Sequence, residues 1–212
     1  HWWAEELSGF AAGRARHPLT EVLLGYAPIC ELGADAWEAL IPAAFAQREA
    51  GPFSTLGDML DANRHFQTAL ANIEVTLHPV LDIENSATAA SLSCVFDESV
   101  RLAEMLARDR LPISMDLLAR HQLSRSEIGQ AGPRRDAVLR EHFLALAARV
   151  GASETRGLSP LTAIRLQANL KRCRRAAKAE DVLAESARNL DRLPPSSVWA
   201  GWKAARRMRA SG

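Results

Sequence analysis

Apolar residues recur three and four positions apart over most of this chain, and almost nowhere do they alternate with polar ones. That is the period of a helix with one buried face, not of a strand. Trp2, Trp3, Leu7 and Phe10 set the spacing of a first helix, which Gly13 ends. Pro18 and Thr20 open a second that runs toward Leu24, and Ala34 to Arg48 predicts a third, stopping before Gly51-Pro52. A long helix is expected from Ser54 or Thr55 through the late 70s, stopped near Pro79. Asp58 stands three residues after Thr55, the spacing at which a cap and an acidic third residue satisfy each other's backbone N–H.

Residues 86 to 108 predict another helix, running into a connector that begins Asp109-Arg110-Leu111-Pro112. Leu117 to His121 and Ser124 to Gln130 read as short helical pieces, and Gly132-Pro133 as a break. A helix from Arg134 to Val150 follows. Ser159 and Pro160, a cap and a proline at the first helical position, then start one that reaches Arg175 or beyond. Pro194-Pro195 introduces a final basic helix. With no repeat and no low-complexity linker, the pattern predicts one all-α domain over residues 1–212.

Composition narrows the setting. At 212 residues and 48% hydrophobic, the chain can bury a core without disulfide or metal support. A net charge of +1 gives no overall field for nucleic acid, so no nucleic-acid partner is expected. Cys30, Cys94 and Cys173 are odd in number and far apart, which argues against a zinc cluster or disulfide framework and fits a reducing cytoplasm. No apolar run approaches the roughly 20 residues of a membrane span. The chain opens on His1-Trp2-Trp3, already inside a helical pattern and without an initiator methionine, so an N-terminal segment is expected to be missing.

Candidate chemistry centres on the polar face of the 86–108 helix, which carries Asp97, Arg101, Glu104 and Arg108. Arg101 lies four residues after Asp97 and three before Glu104, so it can pair with both along the helix. Exposed pairs of that kind contribute about 0.3–0.5 kcal/mol each. Three readings stand open: a solvated or mutually paired face, a pocket in which Arg101 and Arg110 hold an anion without metal, or a magnesium site. Asp58 and Asp61, spaced i, i+3, are weaker metal candidates. Asp58 sits in a first helical turn, where acids favour the helix dipole, and Asp61 can pair with Arg64 or His65. His17, His65, His78, His121 and His142 have no metal-ligand spacing, and no glycine-rich phosphate loop is present.

Three stretches, in order, resemble one family. His1 to Leu24, WWAEELSGFAAGRARHPLTEVLL after the first histidine, resembles the segment of squalene and phytoene synthases in which Trp and Glu precede a small-residue turn and His-Pro-Leu. Leu111 to Ser126, preceded by Asp109-Arg110, resembles the family's Gly-Arg-Leu-Tyr-Leu-Pro passage and the Gly-Leu-Ser segment after it. Glu141 to Leu170 follows its late helices. The resemblance implies an isoprenoid-synthase-like helical bundle that joins two prenyl diphosphates, with magnesium held by two aspartate-rich motifs. It also implies that the second motif falls at 97 to 105, where Arg101 and Met105 occupy the aspartate positions and Asp97 and Glu104 are the nearest acids. The first motif would lie upstream of Trp2.

The C-terminal region adds a different pattern. Residues 171–178, KRCRRAAK, are strongly basic, and 199–209, WAGWKAARRMR, put tryptophans among bases. Trp199, Trp202, Lys203, Arg206 and Arg207 are therefore candidates for contact with an anionic membrane surface; packed indoles with solvated arginines are the plain alternative.

The favoured expectation is a divergent squalene/phytoene synthase-like protein of the cytoplasm that has lost metal-dependent condensation. It keeps a helical cavity for a prenyl diphosphate, another apolar ligand or a protein partner, and needs no cofactor. The alternatives are an active, magnesium-dependent prenyl transferase whose remaining acids lie in the absent segment, and a non-catalytic assembly factor on the same fold.

Overall fold

The computed structural model describes residues 2–188, 199, 201–203, 205 and 206. Twelve helices are assigned among them, with no strand: α1 (Trp2–Ala11), α2 (Pro18–Leu23), α3 (Ala27–Cys30), α4 (Ala34–Glu38), α5 (Leu40–Glu49), α6 (Leu56–Leu77), α7 (Ile83–Val100), α8 (Leu102–Ala107), α9 (Met115–Arg120), α10 (Pro133–Ala152), α11 (Pro160–Ala176) and α12 (Val182–Ala187). The Pro194-Pro195 start of the expected last helix lies outside the described residues, as do His1 and Arg207.

The caps set the long helices. Thr55 N–H donates to Asp58 Oδ2 at 2.8 Å and Asp58 N–H to Thr55 Oγ1 at 3.2 Å, the expected reciprocal cap of α6. Asp82 caps α7 through Asn85 N–H at 2.8 Å, and Ser159 caps α11 through Thr162 N–H at 3.2 Å.

Helix α7 is the centre of the bundle, packed against α6, α10 and α11. Small residues such as Ala87, Ala89, Ser91 and Ser93 are buried along it and let its neighbours come close. Two of its serines return their hydroxyls to the helix, Ser91 to Ala87 O at 2.8 Å and Ser99 to Val95 O at 2.6 Å. Phe96 of α7 meets Phe143 of α10 with ring centroids 5.9 Å apart, inside a core that also holds Leu139, Leu146 and Leu166.

Three expectations need correction. The helix predicted over 86–108 is broken at Arg101, whose φ −92°, ψ 33° is not helical. Before the break, Leu92, Val95, Phe96 and Ser99 are buried; after it Leu102 and Met105 are, not residues 103 and 106. Past the break Leu102 and Met105 still turn inward, and Leu106 packs against the core. The helix predicted over 34–48 is interrupted at Ala39, and 124–130 forms turns around the buried Ile128.

Candidate functional site

The end of α7 does not use its charges as the spacing suggests. Asp97 pairs with Arg165 of α11, across the helix packing, and not with Arg101. Arg101 and Glu104 are exposed and take part in no ion pair among the described residues. The expected pairing of Arg101 with both acids fails because the helix breaks at Arg101 itself. Glu98, which spacing did not single out, is the acid that meets the connector: its Oε1 accepts from Arg110 Nη2 at 2.9 Å. Burial pushes the Glu98 carboxyl above its ordinary value of 4.5, and Arg110 pulls against that.

Around this pair lies a cleft of about 270 Å³. Arg48 and Glu49 at the end of α5, the Gly51-Pro52-Phe53 turn, Met105 of α8, Arg108 just after it, Asp109 to Pro112 and Arg125 line it, together with Glu98. Four arginines stand against three acids. Arg110 is held by Glu98 and Arg125 by Asp109, whereas Arg48 and Arg108 have no ion pair among the described residues. Of the two positions that the resemblance aligns with aspartates, Met105 lines the cleft and Arg101 does not. Asp97 and Glu104 do not line it either.

The connector is held in an unusual backbone state. Asp109 (φ 58°) and Gln122 (φ 50°) are the two non-glycine residues with left-handed backbone among the described residues. They stand where the resembled passages carry glycine, the residue for which this conformation costs nothing. Arg125 fixes the first, donating from Nη2 to Asp109 O and Oδ1, both at 2.6 Å.

Asp58 is occupied by its cap. Asp61 pairs with neither Arg64 nor His65 and instead borders a second, open cleft of about 390 Å³ between α4 and α6. Arg64, its expected partner, crosses to Glu84 and Thr88 of α7. Among the described residues, no three His, Cys, Asp or Glu side chains gather as a metal ion requires. Nor does the donor set at the end of α7 fit magnesium, since Asp97 and Glu98 each carry a guanidinium. Two thiols are held protonated: desolvation lifts the half-buried Cys94 to about 11, with Glu98 and Asp97 adding to it, and the buried Cys173 to about 12.

His142 is a packed residue. Its Nε2 lies 2.8 Å from Ser99 Oγ, which also reaches Val95 O and, at 3.2 Å, Pro112 O. Burial depresses the imidazole to about 4, so it is neutral and ties α10 to α7 and the connector. The remaining histidines are scattered, with His121 bonded to Glu141 at 2.8 Å.

The Trp-Glu…His-Pro-Leu pattern has a structural explanation that spacing alone did not supply. Buried Glu6 accepts from Arg16 N–H and His17 N–H, both at 2.8 Å, and from Thr20 Oγ1. The carboxylate thus latches the turn that starts α2. Trp2 and Trp3 rest against His17, with ring centroids 5.7 and 5.3 Å away, and both stay about half exposed.

No protein-family model matches the chain, and no curated protein matches it in sequence. The crystal structure of squalene synthase HpnC from Alicyclobacillus acidocaldarius does match in fold, with a TM-score of 0.53 and 19% identity, over 85% of this chain and 69% of that one. All-helical among its described residues and superposing on that structure, the chain has the squalene/phytoene synthase-like, all-α isoprenoid synthase fold.

Proposed function

We propose that this is a squalene/phytoene synthase-like protein without metal-dependent condensation, whose cleft holds an anionic head group directly on arginine. What supports the reading most is the replacement at the end of α7: Arg101 and Met105 stand in the aspartate positions, and the acids beside them are paired with Arg165 and Arg110. A cleft of about 270 Å³ with Arg48, Arg108, Arg110 and Arg125 in its wall suits a diphosphate group. The tail of a prenyl diphosphate would leave along Phe53, Met105 and Leu111. The reading puts the protein in the cytoplasm, touching the inner face of the membrane from which such a ligand comes; no helix among the described residues is long and apolar enough to cross one.

Thermal unfolding with farnesyl or geranylgeranyl diphosphate tests this. Stabilisation that survives EDTA is expected, together with no magnesium-dependent release of pyrophosphate. Stabilisation lost in EDTA, or pyrophosphate release with magnesium, would return the protein to the prenyl transferases. A second reading, an assembly factor, has one observation in its favour: Trp2, Trp3, Leu19, Val22 and Tyr26 are large apolar side chains left exposed on and beside α1 and α2. An unchanged melting temperature with every prenyl diphosphate would favour it.

A further inference from the structure

The outer face of α11 and the helical residues near the C-terminus form a surface that the cleft does not use. Residues 160–178 carry six bases and no acid; the next acid is Glu180. Arg165 is engaged with Asp97 and Arg172 is buried. Ile164, Lys171 and Arg175 follow one another at seven and four residues, so they share one helical face, with Leu161 one turn earlier. Leu161 is 68% exposed. Arg174, Arg175 and Lys178 are exposed and have no ion pair among the described residues.

Gly201 sits on that face. A Cβ there would lie 2.7 Å from Ile164 Cδ1, so the segment approaches α11 closely and a side chain there would make Ile164 shift. Trp199 and Trp202 remain 58% and 50% exposed. Their rings stack with centroids 4.9 Å apart at 20°. Lys203 Nζ lies 5.4 Å over Trp199, and the Arg206 guanidinium 5.4 Å over Trp202. Two indoles and their cations thus stand next to a basic helix face.

We propose that this surface binds the anionic face of a lipid bilayer. Indoles settle at head-group depth, and the lysines and arginines around them meet lipid phosphates. Single-stranded nucleic acid would match the charge, but base stacking needs a free ring face. Here each ring already carries the other indole and a cation. Edge-on insertion among head groups keeps both contacts. The proposal rests on the membrane contact of the reading above and not on the cleft's ligand, so the two can fail separately.

The test is co-sedimentation of the full chain with phosphatidylcholine vesicles, with and without about one-third phosphatidylglycerol. Binding is expected on the anionic vesicles alone, weakening with salt and shifting tryptophan emission to the blue. Each base removed should cost roughly fivefold, so Arg175→Glu with Lys178→Glu should weaken partitioning at least about 25-fold. Trp199→Ser with Trp202→Ser should weaken it about tenfold and reduce the emission shift. All four positions are exposed, and circular dichroism checks that the variants fold. Equal binding to neutral vesicles, indifference to both double variants, or tighter binding to a single-stranded oligonucleotide than to anionic vesicles would overturn the proposal.

Discussion

The two ends of α6 belong to differently built regions. On one side, α7, α10 and α11 and the connector beside them share a core of twenty-five buried apolar residues among the described ones, including Phe96, Phe143 and Leu166. On the other, the small helices α1 to α4 meet α6 through four buried apolar residues, Phe10, Ile29, Trp37 and Ile73. Phe10 and Trp37 pack edge to face at 4.7 Å, but Trp37 Nε1 and Glu6 Oε2 are buried without a hydrogen-bond partner among the described residues. One region is held by packing, the other by a few rings and a carboxylate latch. Stability should therefore be uneven, with the N-terminal helices opening first.

The largest effect should come from matched truncations. Phe143→Ala removes a fully buried ring from the large core and is expected to cost about 3–5 kcal/mol in urea unfolding, for the lost transfer energy and the cavity left behind. Phe10→Ala removes a ring just as buried, yet its cost should appear as faster hydrogen exchange in α1 to α4, with α7 and α10 unchanged. Equal loss of protection in α1 to α4 and in α7 and α10 would mean that the chain unfolds as one unit and the contrast is wrong.

Acid should separate the regions by pH. His142 has a folded value of about 4 against an ordinary 6.5, so the unfolded chain takes up its proton first. Stability of the large core then falls as pH drops from 6.5 toward 4, by up to about 3 kcal/mol, and the loss is complete below both values. Glu6 is depressed below its ordinary 4.5, mainly by the Thr20 hydroxyl and the Arg16 amide, so its contribution is lost only below 4.5. Urea unfolding between pH 7 and 4.5 should show the first loss and should flatten in His142→Gln. An unchanged slope in that variant would remove His142 as the cause.

A smaller effect tests the connector. Gln122→Gly relieves a left-handed backbone and should stabilise the chain by about 1 kcal/mol, read in global unfolding because Leu117, Leu118 and Leu123 around it lie in the large core. A loss of stability would show that the Gln122 conformation carries no strain.

How much of this was legible follows from the range of each interaction. The helices and the Thr55–Asp58 cap were readable because they depend on residues within one turn of one another. So was the likeness in fold, through the ordered passages around the Arg110-Leu111-Pro112 connector. The break at Arg101 was not readable: its charges fit a straight helix, and only the backbone of Arg101, at φ −92° and ψ 33°, shows it. The partners of the acids were hidden for the same reason, since Arg165 lies 68 residues from Asp97 and nothing local links them. The left-handed Asp109 and Gln122 could have been anticipated, because each stands where the resembled passage has glycine.

The smallest effect bears on the latch. Glu6→Gln keeps the shape of the side chain but replaces a charged acceptor with a neutral one, and charge-assisted hydrogen bonds are about twice as strong. Its amide oxygen can still accept from Arg16 and His17, while its NH2 group has to occupy the buried place of Oε2, where no partner waits among the described residues. Melting of the whole chain should hardly move, because the large core does not touch Glu6. Amide exchange at Arg16, His17 and the first turn of α2 should quicken. The pH dependence of that exchange below 4.5 should vanish, since the group that titrates is gone. If instead the whole chain melts earlier, the N-terminal helices are part of the cooperative core, and the exposed Trp2 and Trp3 sit on a rigid surface and not on the part that opens first.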